Sequence, residues 1–452
     1  MRRNEEIELA LVKLYLYTGK ENYRKLSEYF VDTRGNSSKD TTYGRFDLEH
    51  IQGHLPVREQ KTMEGHSVRA LYLLCAMADL AFINQDETLT KSCKILYDNI
   101  TQKRMYITGG IGSTHEGESF TYDYDLPEYT GYCETCASIA LALFCRRMWL
   151  LDLDGKYADI AERAIYNTVL SGISLSGDEF FYENPLSTDM ADWEFNQSRP
   201  ETLRKHMALP KRVRIFTCSC CPPNLIRLVG SIADYMYTVD QNTIYTQCYV
   251  AADTTLTVAE QEVTLHQTTA YPYDGRVQIV IDGEGTFTFA LRIPGWCEQA
   301  DILVNDQPVE QKLEKGYVKL TKQWKKGDCI TLDFKMEVQF ITANPKVASV
   351  CGRTAVTKGP LVYCAEGIDH EERSLRDIRI SREAEYKTQW EKIAGVNIPV
   401  IVAEAEHRKA FDQLYTAKKT QLEAVKMKFI PYFARANRGA CEMTTWFLEK
   451  GI

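Results

Sequence analysis

Three cysteines within four positions, in the stretch CSCCPPN at 218–224, are the densest chemistry-bearing feature of this chain. A second thiol cluster, GYCETCAS at 131–138, places Cys133 and Cys136 around Glu134 at the start of an apolar helical run. Cysteines grouped in this way form a disulfide, hold a metal or supply a reactive thiolate. Two such clusters some eighty residues apart resemble the two halves of a tetrahedral zinc site. Buried reduced thiols and a redox dithiol are the alternatives. A set of four cysteines would make a closed structural site. A set that includes Glu134 differs in chemistry, because a thiolate held beside a carboxylate is a candidate nucleophile.

Between these clusters runs YITGGIGSTHEGESFTYDYDLPEYTG, 106–131, with Glu116, Glu118, Asp123, Asp125 and Glu128 among turn glycines. Solvated loop acids are the ordinary reading of such a run. Its position just before the thiol cluster makes at least one of them a candidate general acid. A carboxylic acid beside a thiolate, in a partly desolvated pocket, is expected to have a raised pKa suited to that work.

The elements that must position these groups divide the chain in two. Apolar residues recur at spacings of three and four over 5–17, 22–33, 66–84, 88–103, 132–150, 156–172 and 222–238, which predicts seven helices. Long connections at about 34–65, 104–131 and 173–221 place the chemistry on loops at one end of a helical scaffold. Past about residue 240 the period changes to two. TIYTQCYVAADTTLTV, RVQIVID, TFTFALRIPGW, YVKLTKQW and CITLDF predict a β-sandwich over 241–344, and the remainder predicts a second one over 345–452.

The 452 residues are enough for two to four domains, and 11% aromatic content argues against long disorder. A net charge of −8 argues against nucleic-acid and anionic-membrane partners. The longest apolar run, ALYLLCAMADLAF, falls short of the roughly 18 residues of a membrane span and contains Asp79. Glu5, Glu6 and Glu8 break up any signal-like core, so the chain reads as cytoplasmic. There the fourteen cysteines stay reduced unless they hold metal or do chemistry. Cys75, Cys93, Cys145, Cys248, Cys329 and Cys364 lie in apolar runs and read as small buried hydrophobes.

Nine stretches in order resemble a known family: EEIELALVKLY, HLPVREQ with EGHSVRALYL, ITGGIGSTHEGESFTYDYDLP, ETCAS, FFYENPL, CCPPN, LRIPGW, KGPLVYC and IPYFARANRG. Together they are similar to glycoside hydrolase family 127, the β-L-arabinofuranosidases. The resemblance implies an (α/α)6-barrel followed by two β-sandwich domains. It also implies a retaining exo-glycosidase that releases β-linked L-arabinofuranose from small plant-derived oligosaccharides. Zinc would be held by Glu134, Cys136, Cys220 and Cys221. Cys220 would be the nucleophile and Glu118 the acid/base. His66, Tyr182 and Glu162 would line the sugar pocket, and Cys133 and Cys218 would stay outside the ligand set.

Seven helices are fewer than the twelve of a full (α/α)6-barrel, and Asn4 stands where the family has histidine. Residues 1–240 therefore read as the C-terminal part of such a barrel. An open half-barrel is expected to expose apolar surface and to self-associate into a homo-oligomer. The other reading of such a chain is a zinc-stabilised helical and β-sandwich protein without hydrolase activity.

Overall fold

The computed structural model describes residues 6–36, 42–43, 46–370 and 374–451; Asn4 lies outside them. The helical part consists of α1 (Glu6–Thr18), α2 (Glu21–Thr33), α3 (Ser67–Asn84), α4 (Glu87–Asn99), α5 (Thr135–Asp152), α6 (Gly155–Ala164), α7 (Met190–Ser198) and α8 (Cys221–Gly230). Consecutive pairs α1–α2, α3–α4 and α5–α6 pack as αα-hairpins, and α3 lies between α1 and α5. Local chemistry sets the hairpin turns. The Asp86 carboxylate accepts the backbone N–H groups of Thr88 and Leu89 to start α4, and Asp154 accepts that of Lys156 to start α6.

The helices α3 and α5 are apolar nearly all round because they are buried nearly all round. By length and composition α3 is the one helix, among the described residues, apolar enough to cross a membrane, yet 72% of it is buried inside the fold. Its Asp79 accepts a 2.9 Å hydrogen bond from Arg147 Nε of α5, so the charge is neutralised within the helix pair.

Six of the seven helical stretches hold their place, and the seventh is shortened. The run 222–238 yields a helix only to Gly230, then a short turn and the strand Tyr237–Asp240. The helix α7 forms inside the connection 173–221 that its sequence marks as loop. Asp189 makes it possible by accepting the N–H of Asp192.

Beyond the helices, a five-stranded and a six-stranded sheet enclose a core that includes Val263, Ile279, Phe289, Trp324 and Leu332. The strand Val338–Thr342 belongs to the next unit: it pairs antiparallel with Arg353–Lys358 in a ten-stranded sheet. That sheet also recruits Ser187–Thr188 from the helical part, paired with Met443–Thr444. Tyr432 donates to the carbonyls of Asn184 and Pro185 at 2.8 and 2.9 Å. Arg435 stacks over Phe181 with its guanidinium carbon 4.1 Å from the ring centre. The C-terminal β domain thus grips the segment 181–188 on both sides.

Candidate active site

Two helix starts and one tight turn assemble the site. Glu134 precedes α5, Cys136 lies in its first turn, and Cys220 and Cys221 open α8, where Pro222 and Pro223 suit the first helical turn. The positive ends of both helices therefore face one point and favour anionic side chains there. The ligand atoms of Glu134, Cys136, Cys220 and Cys221 all lie within 4.8 Å of one another. Cys136 Sγ is 3.5 Å from Cys221 Sγ, and Cys220 Sγ is 3.8 Å from Cys221 Sγ. Glu134 Oε1 is 3.5 Å from Cys220 Sγ and 3.7 Å from Cys221 Sγ.

Burial is uneven across this cluster. Glu134, Cys136 and Cys221 are buried, whereas Cys220 opens to solvent. Glu134 Oε2 is buried and has no partner among the described residues. Burial pushes the Glu134 carboxyl well up. Cys220 moves the other way: hydrogen bonds from Cys136, Cys221 and Tyr182 hold its thiol far down. The cysteine whose neighbours favour its thiolate is thus the one facing the cavity. Four such donors within one shell could hold a metal ion.

Glu118 reaches the same cavity from the turn after His115. Gly117 at φ 68° and Glu118 at φ 54° are both left-handed, and a side chain on Gly117 would meet Ser119 Oγ at 3.0 Å. A left-handed glutamate is held there by its surroundings, as Ser67 Oγ donates to its carbonyl at 3.0 Å. His66 Nε2 lies 2.9 Å from Glu118 Oε2, while His66 Nδ1 is buried without a partner among the described residues. The hydrogen bond from His66 holds the Glu118 carboxyl below its usual range, outweighing burial and the Cys220 charge. This reverses the expected raised pKa: the hydrogen bond from His66 decides, not the thiolate. Tyr182 completes the wall, its hydroxyl 3.3 Å from Cys220 Sγ.

These groups share a cavity of about 650 Å³ with Arg69, Tyr72, Asn224 and Arg227, which sequence reasoning missed. A signal for them exists. Arg69 and Tyr72 follow His66 at helical spacing, and Asn224 and Arg227 follow Cys220 in the same way. Cys218 is exposed on the cavity rim, and Cys133 turns into the core of the C-terminal β domain. Of the other loop acids, Asp123 is tied to Arg104 at 2.8 Å and Lys103 at 3.0 Å, which holds it at about 2 against the pull of burial.

Glu162 does not line this cavity. It is buried between α6 and the first β domain, where Tyr271, Arg292 and Trp296 donate to it at 2.6, 2.5 and 3.2 Å. Both its oxygens accept from the first β domain and it does not reach the cavity, so its place among the sugar contacts is withdrawn.

Known proteins match this chain along nearly its whole length. The profile of the β-L-arabinofuranosidase GH127 catalytic domain matches residues 2–234, that of the GH127 middle domain 243–336, and that of the family 127 C-terminal domain 338–448. A non-reducing end β-L-arabinofuranosidase of Bifidobacterium longum subsp. longum is 37% identical, over 97% of this chain and 70% of its own. The crystal structure of a GH127 β-L-arabinofuranosidase from Geobacillus stearothermophilus T6 superposes with a TM-score of 0.92 at 40% identity, over 98% of this chain and 72% of that one. A second GH127 β-arabinofuranosidase structure gives 0.87 at 36% identity, over 98% and 68%. With catalytic, middle and C-terminal domains all matched in order, the chain belongs to glycoside hydrolase family 127, the β-L-arabinofuranosidase family.

Proposed function

We propose that this chain is a retaining exo-glycosidase that releases β-linked L-arabinofuranose from plant-derived oligosaccharides, with Cys220 as nucleophile and Glu118 as acid/base. One observation carries the reading: a thiolate-forming cysteine and a carboxylate held by histidine open onto the same cavity. In the first half-reaction Cys220 Sγ forms a bond to the anomeric carbon as the glycosidic C–O bond breaks. Glu118 delivers its proton to the departing oxygen. In the second, Glu118 takes a proton from water, the water oxygen bonds to the anomeric carbon, and Cys220 leaves as thiolate. Two displacements at one carbon retain the anomeric configuration. His66, in the cavity wall beside Glu118, would contact the sugar, and Tyr182 would steady the Cys220 thiolate.

Zinc fits the four donors. Tetrahedral sulfur ligands at about 2.3 Å from zinc stand about 3.8 Å apart. The cluster's S–S separations of 3.5 and 3.8 Å agree, and Glu134 Oε2 has no partner among the described residues. Bound by Glu134, Cys136, Cys220 and Cys221, zinc would keep the thiols deprotonated and offset their mutual repulsion. The three αα-hairpins are the repeating unit of an (α/α)6-barrel, which we take as the architecture of this part.

Turnover of p-nitrophenyl β-L-arabinofuranoside tests the proposal, with the first-formed anomer read by NMR. Release of the β-anomer and a pentosyl mass on the Cys220 peptide are expected. An inverted product, or full activity in Cys220→Ala, overturns it.

A further inference from the structure

Two stretches of the sequence, FFYENPL at 180–186 and IPYFARANRG at 430–439, meet where the helical part joins the C-terminal β domain. Their meeting point buries two cations side by side. Arg435 is 1% exposed and Arg212 3%. Both guanidinium carbons lie over the single ring of Phe181, 4.1 and 4.6 Å from its centre. Neither guanidinium donates to a carboxylate among the described residues. Arg212 donates to the carbonyls of Ser171, Phe433 and Arg435. Arg435 donates to Ser171 Oγ at 3.1 Å and to Asn184 Oδ1 at 3.4 Å. Burying charge without a counter-charge is costly, and the aromatic face and neutral acceptors offset only part of that cost. The groups these two side chains hold are therefore where a role for them lies.

What they hold is the segment that carries Tyr182. Phe181 is fixed by the two guanidiniums, and Asn184 by Arg435 and by the Tyr432 hydroxyl, which donates to its carbonyl at 2.8 Å. The same segment is tied on its other side to the thiol cluster through Thr135, which stands between Glu134 and Cys136. Thr135 Oγ1 donates to the Phe181 carbonyl and the Thr135 N–H to the Tyr182 carbonyl, each at 2.9 Å. Asn184 Nδ2 donates to the Cys133 carbonyl and to Thr135 Oγ1, both at 3.0 Å. Phe181 thus faces the C-terminal β domain, while Tyr182 lines the cavity with its hydroxyl 3.3 Å from Cys220 Sγ. A contact of that kind depends on placement, and a shift of about 1 Å removes it.

We propose that Arg435 of the C-terminal β domain is a positioning residue for the reaction: by holding Phe181 it fixes the Tyr182 hydroxyl against Cys220. Arg212 supports it by anchoring the Arg435 carbonyl at 2.6 Å. The proposal rests on the reading of Cys220 as nucleophile. It gives the C-terminal β domain a part in catalysis, although none of its residues lines the cavity that holds Cys220.

The test is a double-mutant cycle on p-nitrophenyl β-L-arabinofuranoside, with Tyr182→Phe removing the hydroxyl. With Tyr182 in place, Arg435→Ala should lower kcat about tenfold and leave KM within about twofold. In the Tyr182→Phe background the same change should cost less than about twofold. A residue that only stabilises the fold would give equal losses in both backgrounds. That outcome, or no loss in Arg435→Ala, overturns the proposal. Phe181→Leu fills the same buried space without an aromatic face and should show the same dependence on Tyr182; it carries the cycle where Arg435→Ala does not fold. If the unaltered chain releases no p-nitrophenol, the arabinofuranosidase reading fails by itself. The ¹⁹F resonance of 3-fluorotyrosine placed at position 182 then decides the positioning alone. A signal shifted or broadened by Arg435→Ala or Phe181→Leu supports it, and one that stays in place overturns it.

Discussion

Two buried glutamates sit about thirty residues apart in the chain and meet opposite fates. Glu162 and Glu134 are each 1% exposed. Around Glu162 the fold supplies Arg292, Tyr271 and Trp296, so both oxygens have donors and the carboxylate faces a cation. Asp159 shares the same guanidinium at 2.6 Å. Around Glu134 the described residues supply three thiols and no partner for Oε2. Burying an anion is costly unless it is paired. The first cluster has its counter-charge covalently built in, and it fastens two domains. The second has no such counter-charge among the described residues, and its four donors could hold a metal ion.

Breaking each cluster should therefore read out differently. The largest effect expected is on catalysis: Cys220→Ala should lose about 10⁴-fold or more in kcat, since no covalent intermediate can form. Cys220 is exposed, so its fold should survive, as circular dichroism would show. Metal content must be measured alongside, because the same change removes a ligand. Azide should not rescue this variant, whereas it should rescue Glu118→Gln on an activated aryl arabinoside.

Arg292→Ala inverts that pattern. It leaves the buried Glu162 and the half-buried Asp159 without their cation, which should cost about 3–5 kcal/mol of stability. Denaturant unfolding would measure the loss. The fraction that stays folded should turn over substrate at an unchanged rate, because the cluster does not line the cavity. A catalytic loss in folded Arg292→Ala would mean that domain docking controls the site, and the contrast drawn here would fail.

Metal removal should separate the clusters again. Chelator with reductant should lower the Tm of the unaltered chain, since a ligand bound only to the folded state stabilises it by mass action. Elemental analysis should find about one zinc per chain, lost in Cys136→Ser and kept in Cys133→Ser. Chelator should then leave the Tm of Cys136→Ser unmoved. A metal retained by Cys136→Ser would break the ligand set.

The contrast between the clusters also explains what was legible in the sequence. Thiols are chemically distinct, so Cys133, Cys136, Cys218, Cys220 and Cys221 stand out by type and spacing, with Glu134 between the first two, whereas the choice of Glu134, Cys136, Cys220 and Cys221 rests on the family resemblance. Glu162 was misread because its role depends on Arg292, 130 residues on, in a strand that carries no local sign of its partner. The helix α7 was missed because MADWEFNQS has no clear apolar stripe; a single cap at Asp189 and tertiary contacts decide it. The hairpins α1–α6 were legible because their periodicity is long and their turns short. The end of α8 was not, since a helix and a following strand can share one apolar run.

The smallest effect expected lies in the pH profile, and it concerns the one group whose ionisation came out opposite to expectation. A general acid works only while protonated, so kcat/KM should fall as pH rises through the Glu118 pKa. The His66 hydrogen bond holds that pKa below the ordinary carboxylate range. Removing it in His66→Ala leaves burial and the Cys220 charge, both of which raise the pKa. The alkaline limb should therefore move to higher pH. The maximum should fall by about tenfold, because His66 also lines the sugar cavity. His66→Gln, which restores a neutral donor, should bring the limb part of the way back. The position of the limb is the readout, since mere loosening of the turn would lower the maximum and leave the limb in place. A limb that stays put or moves to lower pH in His66→Ala would show that the histidine does not set the ionisation of Glu118, and the acid/base role would have to be sought in another carboxyl of the cavity.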